Sequence, residues 1–268
     1  MSDITEPRHV RALFLSDVHL GMRPIRAGQL IDFLRAHEAD TIYLVGDILD
    51  GWRLAKSWHW PGEYNILVQL LLDKANAGTR VIYLPGNHDE FLREYLGTYF
   101  GEIEIVDRTV HTSLQGKTYL VIHGDQFDVV VMNAKWLAHV GDWAYNAALR
   151  VNIAINWVRR RLGLQYWSLS AWAKQKVKNA VSVIGQFEEA LVHEAKVSGV
   201  DGVICGHIHF ADMHERLGIH YINTGDWVES CTAIVETDEG NFELVKWTGM
   251  VVGQPRRFLR RRTDRAAS

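Results

Sequence analysis

Five short apolar segments of this sequence each end in side chains that can bind metal ions. The residues that follow them are, in order, Asp17 and His19; Asp47 and Asp50; Asn87, His88 and Asp89; His123 and Asp125; and His207 and His209. In an α/β sheet, ligand sites are built at the carboxyl ends of the strands, so we expect these side chains to share one edge. Aspartate, asparagine and histidine together suit a divalent metal ion. The spacing therefore predicts a metal site built from five loops.

The elements that must position these side chains are short strands with helices between them. A strand at residues 10–16, a helix at 27–37 and a strand at 41–45 make a βαβ unit, whose crossover is expected to be right-handed. A tryptophan-rich loop follows Asp47, and a second helix is predicted at residues 63–77. Further strands are predicted at residues 80–84, 102–106, 118–122, 202–205, 220–223, 230–236 and 241–247.

Length and composition predict a globular protein with one sizeable core. The chain has 268 residues, of which 47% are hydrophobic, and one domain with an insertion fits this length as well as two domains. Residues 1–9 have no apolar core, and no run approaches the ~18 apolar residues of a spanning helix, so we expect a cytosolic protein. The two cysteines give no disulfide framework, and Cys205 is expected to be a core residue rather than a nucleophile.

Charge and periodicity divide the chain into a body, residues 1–126 and 198–250, a helical insert, 127–197, and a basic tail, 251–268. Residues 129–187 carry eight Lys or Arg against one acid, and residues 256–268 carry six Arg against one acid. The insert also has helical periodicity and five of the ten tryptophans. It is interpreted either as a helical hairpin packed on the body or as a lid that meets acyl chains or a membrane. The tail is either an anchor to anionic lipid or a solvated segment.

The five motifs resemble those of the calcineurin-like metallophosphoesterase superfamily, across residues 11–236. The resemblance implies an α/β (α+β) fold: a β-sandwich of two mixed sheets flanked by helices, with the site at the strand ends. It also implies two divalent metal ions with one shared ligand, Asp47. One ion would be bound by Asp17, His19, Asp47 and His209, and the other by Asp47, Asn87, His123 and His207. Mixed nitrogen and oxygen ligands favour Mn²⁺, with Fe²⁺ or Zn²⁺ as alternatives.

The same resemblance implies how the site would work. A hydroxide held between the two ions would attack phosphorus while both ions neutralise the phosphoryl oxygens. His88 would reach the leaving oxygen as a proton donor, with Asp89 orienting its imidazole. Asp50 and Asp125 would hold ligands in orientation. Asn223 and Asp226 are expected to shape a loop, and Trp227 either touches substrate or packs.

Within the superfamily, the chain is most similar to the UDP-2,3-diacylglucosamine pyrophosphohydrolase family of the lipid A pathway. The similarity rests on the segment Leu-Ser-Asp-Val-His-Leu-Gly, residues 15–21, and on the position of the helical insert. It implies a nucleotide-lipid substrate, hydrolysed to UMP and a lipid 1-phosphate at the membrane surface. The residues it places at the substrate are Asn87, Asp125, Lys174, Lys178 and Asn179. The sequence departs from this family at His88, where the family usually carries arginine.

Three other functions are open from the sequence alone. A phosphodiesterase or phosphatase for another nucleotide or phospholipid would use the same metals. A nuclease would use the basic insert, but the body is acidic and carries no nucleic-acid-binding module, so no nucleic acid is expected as a partner. A non-catalytic docking scaffold would keep the fold but lose metal-binding residues. In this sequence, all the expected metal-binding residues and His88 are present. We therefore expect a cytoplasmic enzyme that is peripheral on the inner membrane and binds an anionic membrane surface.

Overall fold

Two β-sheets form the centre of the protein. The computed structural model describes residues 6–23, 25–127 and 184–248. The strands are β1 (Arg8–Leu15), β2 (His37–Val45), β3 (Arg80–Leu84), β4 (Tyr99–Phe100), β5 (Ile103–Ile105), β6 (Thr109–Thr112), β7 (Thr118–Val121), β8 (Gly202–Cys205), β9 (Asp212–Arg216), β10 (Ile219–Asn223), β11 (Thr232–Glu236) and β12 (Phe242–Lys246).

Four α-helices and two short 3₁₀-helices accompany the sheets in the described part of the chain. The α-helices are α1 (Ala27–Arg35), α2 (Gly51–Lys56), α3 (Gly62–Asn76) and α4, whose described part covers residues 184–197. The 3₁₀-helices are Glu90–Tyr95 and Asp125–Phe127. None of the helices among these residues is long and apolar enough to cross a bilayer.

Both sheets are mixed. The first has the order β12-β11-β1-β2-β3-β5-β4, in which β1, β2, β3 and β5 are parallel and the edges are antiparallel. The second has the order β6-β7-β8-β10-β9, with β7, β8 and β10 parallel. The parallel strands of each sheet end at the same edge, which brings the loops after β1, β2, β3, β7 and β8 together. The expected sandwich of two mixed sheets is confirmed.

The alternation of side chains along each strand builds three apolar layers. In β1, Ala12 and Phe14 face the second sheet, where the inter-sheet core also contains Val121 and Ile204. Phe14 stacks on Tyr43 with ring centroids 4.6 Å apart. Leu13 of β1 faces the opposite way, into the layer made with α1 and α3. The predicted apolar face of α1 is buried there, with Leu30, Ile31, Phe33 and Leu34.

The third layer is formed by α4 on the outer face of the second sheet. Phe187, Leu191 and Ala195 are buried against strand residues that include Val203 and Tyr221. Ion pairs fix the helix at two further points: Arg216 contacts Glu188 at 2.5 Å, and Arg108 contacts Glu194 at 2.7 Å. Residues 184–197, assigned from sequence to the insert, thus pack as a layer of the body. Residues 128–183 and the tail lie outside the described residues, and so do Lys174, Lys178 and Asn179.

Most differences from the predicted elements involve short strands and helix ends. The predicted tryptophan-rich loop contains α2, and the helix predicted at 27–37 ends at Arg35, so that His37 begins β2. β4, β6 and β9 were not predicted. The polar β9 exists because it pairs with β10 across a turn at Leu217 and Gly218, both at positive φ. Such strands depend on a partner rather than on a pattern of their own.

We expect Phe187→Ala to lower the free energy of unfolding by about 3–5 kcal/mol, because it leaves a cavity between α4 and the second sheet. Urea denaturation measures the loss. The matched control is Val197→Ala on the same helix, where the side chain is 70% exposed and the expected change is within ~0.5 kcal/mol. Equal effects from the two substitutions would contradict the packing of α4 on the body.

Candidate metal centre

The five predicted loops meet at the carboxyl edge of the sheets, joined by backbone hydrogen bonds. The amide of Asp17 donates to the carbonyl of Gly46 at 3.0 Å. The amide of Gly206 donates to the carbonyl of His123 at 3.2 Å, and that of Gly51 to the carbonyl of His88 at 2.9 Å. Each loop is therefore held to a neighbour before any side chain is considered. The structure brings the five motif loops to one place, as their spacing in the sequence predicts.

Left-handed backbone turns most of these side chains toward one point. Five of the residues have φ between 53° and 72°: Asp17, His19, Asp47, His207 and His209. Few residues with a side chain adopt this conformation, and it concentrates at functional sites, where the surrounding structure compensates for its cost. The backbone therefore leaves the extended conformation soon after each strand. The side chains of these residues face the neighbouring loops and do not continue the alternation of the sheet.

Two glycines leave the space that the ligands occupy. Gly46 has φ +80°, and a Cβ there would overlap the ring of His123. A Cβ on Gly86 would overlap the carboxylate of Asp47 and lie 2.6 Å from Nε2 of His123. A side chain at either position would displace a ligand, which explains the Gly-Asp and Gly-Asn pairs in the motifs.

The side chains form three overlapping groups whose ligand atoms lie within 4.8 Å of one another. The groups are Asp17, His19 and His209; His19, Asp47 and His88; and Asp47, His123 and His207. Asp17 Oδ1 is 3.3 Å from His209 Nε2, and Asp47 Oδ2 is 3.5 Å from His123 Nε2. His19 Nε2 lies 3.8 Å from both carboxylates. Asp47 thus stands between two histidine clusters.

The residues fit a divalent metal because several ligand atoms have no hydrogen-bond partner. Within the described part of the chain, the buried atoms without a hydrogen-bond partner include Asp17 Oδ1, Asn87 Oδ1 and His123 Nε2. The other atoms of two of these side chains are used: Asp17 Oδ2 accepts from the amide of His207 at 2.9 Å, and His123 Nδ1 lies 2.8 Å from the carbonyl of Val45. In the neutral imidazole, the latter contact fixes the tautomer in which Nε2 is an acceptor. Buried acceptors without donors are costly, and a cation would satisfy them.

Charges in the site shift the pKa values of its members strongly. Burial alone would raise the pKa of Asp17, but contact with His19 and the charges of His209 and His123 lower it. Burial alone would lower the pKa of His123, but Asp47, and then Asp17, raise it to about 10. Burial would also raise the pKa of Asp47, but His123 outweighs that effect and lowers it. In the absence of metal, the carboxylates are therefore charged and His123 holds a proton.

The carboxylate of Asp89 is surrounded by hydrogen-bond donors. Its carboxylate accepts hydrogen bonds from the amides of Gly86 at 2.6 Å and Ile48 at 2.8 Å, and from the hydroxyl of Tyr83 at 2.5 Å. Burial and the nearby Asp47 raise its pKa. Asp89 therefore joins the loops after β2 and β3. The oxygens of Asp89 are directed to these donors, and its expected role in orienting His88 remains a prediction.

The carboxylate beside His88 is that of Asp50. Asp50 Oδ1 lies 3.2 Å from His88 Nδ1, and its other oxygen lies 3.8 Å from His19 Nδ1. Asp50 Oδ1 also accepts from the amide of Arg53 at 2.9 Å and so caps α2. One residue thus links a ligand, the candidate proton donor and the start of a helix. The second aspartate of the Gly-Asp-x-x-Asp motif was the sequence signal for this role.

Other expected residues fall into clear positions. Asp125 Oδ2 accepts from Arg93 at 2.7 Å, a contact that the sequence did not reveal because Arg93 lies outside the five motifs. Asp226 caps its own loop through the amides of residues 228–230, as expected. Trp227 is buried against Phe33 and packs rather than meeting substrate. Cys205 is buried and its pKa is raised to about 12, chiefly by burial, so it is no nucleophile.

Comparison with known proteins places this site in a family. The family model for calcineurin-like phosphoesterase matches residues 10–211, which include all the candidate ligands. A relative from Haemophilus influenzae (strain PittGG), named UDP-2,3-diacylglucosamine hydrolase, is 27% identical over 245 residues, covering 87% of this chain and 98% of the relative. A relative of the same name from Chromohalobacter salexigens is 29% identical over 211 residues, covering 76% and 81%. Among solved structures, a single-site variant of Vps29 from Entamoeba histolytica has a TM-score of 0.41 and 16% identity, covering 88% of this chain and 98% of that chain.

Metal binding is expected to release at least one proton per protein near neutral pH, because His123 must lose its proton to become a ligand. His19 adds to this release, because burial, which would lower its pKa, is outweighed by Asp17, which raises the pKa of His19. Titration calorimetry with Mn²⁺ in two buffers of different ionisation enthalpy measures the release. Affinity should rise with pH, about tenfold per unit for one proton, since proton and metal compete. His220→Gln, a histidine paired with Tyr119 away from the site, should leave the release unchanged. Identical heats in both buffers would contradict this assignment.

Proposed function

The chain belongs to the calcineurin-like phosphoesterase family and is a metal-dependent phosphoesterase, and from this premise we propose that it cleaves the diphosphate of UDP-2,3-diacylglucosamine. The products would be UMP and a lipid 1-phosphate, the lipid A precursor. The observation that carries the proposal is the convergence of the buried, unpartnered ligand atoms of Asp17, Asn87 and His123 at one edge. The choice of substrate is supported by the relatives named UDP-2,3-diacylglucosamine hydrolase, which the chain covers over 98% and 81% of their length.

The proposed ligand sets follow the two halves of the cluster. One ion would be bound by Asp17, His19, Asp47 and His209, and the second by Asp47, Asn87, His123 and His207. Mn²⁺ is proposed, with Fe²⁺ or Zn²⁺ as alternatives for the same nitrogen and oxygen ligands. When bound, two such ions supply an activated water and neutralise the charge that develops on the phosphoryl oxygens.

His88 is proposed to protonate the leaving oxygen. Its backbone amide donates to Asp47 Oδ1 at 2.8 Å, so the ring is carried on a loop fixed to the shared ligand. Asp50 beside Nδ1 orients the imidazole and leaves Nε2 for the substrate. Asn87 and Asp125 are proposed to contact the substrate at or next to its phosphoryl groups. Arg93 holds Asp125 in place. Lys174, Lys178 and Asn179 remain proposed lipid or phosphate contacts on sequence grounds.

A second candidate function uses the same site on another substrate. The His88 form of the Gly-Asn-His-Asp motif is that of the wider superfamily, which hydrolyses other phosphoesters. A diesterase or phosphatase for another nucleotide or a phospholipid is therefore the alternative. Both functions place the reaction on the same ligands and differ in the leaving group. The proposed location, at the cytoplasmic face of the inner membrane, follows from the lipid substrate.

We expect metal-stripped protein reloaded with Mn²⁺ to hydrolyse UDP-2,3-diacylglucosamine far faster than bis-p-nitrophenyl phosphate, because only the lipid nucleotide uses contacts beyond the metals. UMP release, measured chromatographically, is the readout for the first substrate and absorbance for the second. Turnover of the diester alone would leave the phosphoesterase assignment in place and select the second candidate function.

His88→Ala is expected to keep both metal ions and to lose about 10²–10⁴-fold in kcat, the usual contribution of a positioned proton donor. Metal content is measured by elemental analysis, and turnover with whichever of the two substrates the protein hydrolyses. Asp50→Asn should give a smaller loss of kcat, since the imidazole of His88 remains and loses only the carboxylate beside Nδ1. Metal content is measured for this variant too, because Asp50 also lies near His19 and caps α2. Loss of metal from the His88 variant would reject the role of proton donor and indicate that His88 binds metal. That outcome is a real alternative, because ligand atoms of His88, His19 and Asp47 lie within 4.8 Å of one another.

A further inference from the structure

An aromatic and basic segment lies beside the site and has no part in the mechanism. It consists of α2 and the loop that follows, residues 51–61, and is called the tryptophan lobe below. Its sequence contains three tryptophans, Arg53, Lys56 and His59, and no acidic residue. Trp52 and Trp58 are 47% and 73% exposed, and an exposed apolar patch is typical of an interaction site. The composition therefore indicates a contact with something other than solvent.

The tryptophan lobe is attached directly to the His88 side of the site. The amide of Gly51 donates to the carbonyl of His88 at 2.9 Å, and a Cβ on Gly51 would lie 2.9 Å from that same oxygen. The ring of Trp52 lies 4.2 Å from the ring of His88, and its Nε1 donates to Glu90 at 3.4 Å. A contact made by this lobe would therefore form at the side from which the leaving group departs.

The outer end of the lobe projects a tryptophan from a fixed base. Trp60 donates to Asn65 at 2.8 Å and packs edge-on against Tyr64 with ring centroids 5.3 Å apart. Trp58 stacks on Trp60 with centroids 5.8 Å apart and is 73% exposed. Because Trp60 is held by Asn65 and Tyr64 while Trp58 is mostly exposed, the pair presents an ordered apolar surface to the outside.

Three basic side chains border this surface. Arg53 and Lys56 lie in the last turn of α2 and are exposed. Arg23, from the loop after β1, approaches His59 with 2.7 Å between its terminal guanidinium nitrogen and Nδ1. Tryptophan rings at the level of lipid headgroups, flanked by arginine and lysine, are typical of proteins that rest on an anionic bilayer.

We propose that the tryptophan lobe is a membrane-contact surface, with Trp58 inserted at the headgroup level of an anionic bilayer and Arg53 and Lys56 on its phosphates. This contact would set the His88 side of the site against the membrane, from which an acylated leaving group comes and to which it returns. The choice of a lipid bilayer over a protein partner rests on the proposed function, since a nucleotide-lipid substrate lies in a bilayer. The residues of this surface are not those of the basic insert or the tail.

The test is co-sedimentation of the full chain with vesicles of phosphatidylcholine containing phosphatidylglycerol, and with vesicles of phosphatidylcholine alone. Trp58→Ala is expected to lower the partition coefficient about fivefold on the mixed vesicles. Arg53→Gln/Lys56→Gln is expected to lower it about thirtyfold at low salt, because each basic residue near an anionic surface contributes about fivefold. The effect should be smaller at high salt. Melting curves of all variants establish that they are folded.

Two matched controls use exposed residues elsewhere on the body. Phe100→Ala removes an aromatic ring that is 60% exposed on the edge strand β4, and Lys117→Gln removes a charge beside the start of β7, at the end of that strand away from the site. Partition that is unchanged in all lobe variants, or lowered equally in the controls, would overturn the proposal. Vesicle binding needs neither substrate nor turnover, so this result is independent of whether the lipid nucleotide is hydrolysed.

Discussion

The buried carboxylate of Asp89 is the constraint on which the geometry of the site depends. Its oxygens accept hydrogen bonds from two loops that are far apart in sequence, one after β2 and one after β3. Tyr83 completes the set from within β3. A buried charge of this kind is stable only when most of its acceptor sites are used. The loops that carry Asp47 and His88 are thus held in one relative position whether or not a ligand is present.

A second hydrogen-bond network, on the other side of the cluster, compensates for the cost of the left-handed backbone at the candidate ligands. Ser16 contacts both Asp17 and Thr224, the latter at 2.6 Å between hydroxyl oxygens. Asn223 donates to the carbonyl of Gly206 at 2.8 Å and so holds the loop that carries His207 and His209. Hydrogen bonds from β10 therefore fix the histidines that have left-handed backbone. The cost of that backbone is distributed over buried contacts instead of being borne by the ligands alone.

Packing of α4 connects the site to the outer face of the second sheet. The ring of Phe187 lies 5.9 Å from the ring of His207, and a Cβ on Gly124 would lie 2.8 Å from Phe187. The helix therefore supports two ligand loops from beneath, while the tryptophan lobe borders the His88 side. Hydrolysis would accordingly depend on buried polar contacts in the site. Substrate delivery would depend on the exposed aromatic and basic residues of the tryptophan lobe.

The sequence by itself determined the elements and residues whose signal is local. Buried strands such as β3 and β8 were predicted with their observed bounds, because apolar runs end sharply at glycine or proline, and the ligand motifs follow directly. The short strands β4 and β9 have no such signal. Only the tertiary structure decided which carboxylate stands beside His88, since Asp50 and Asp89 each end a motif and either could face the ring. Their roles depend on the groups that surround each oxygen, and the loops that carry Asp50, His88 and Asp89 meet only in the folded protein.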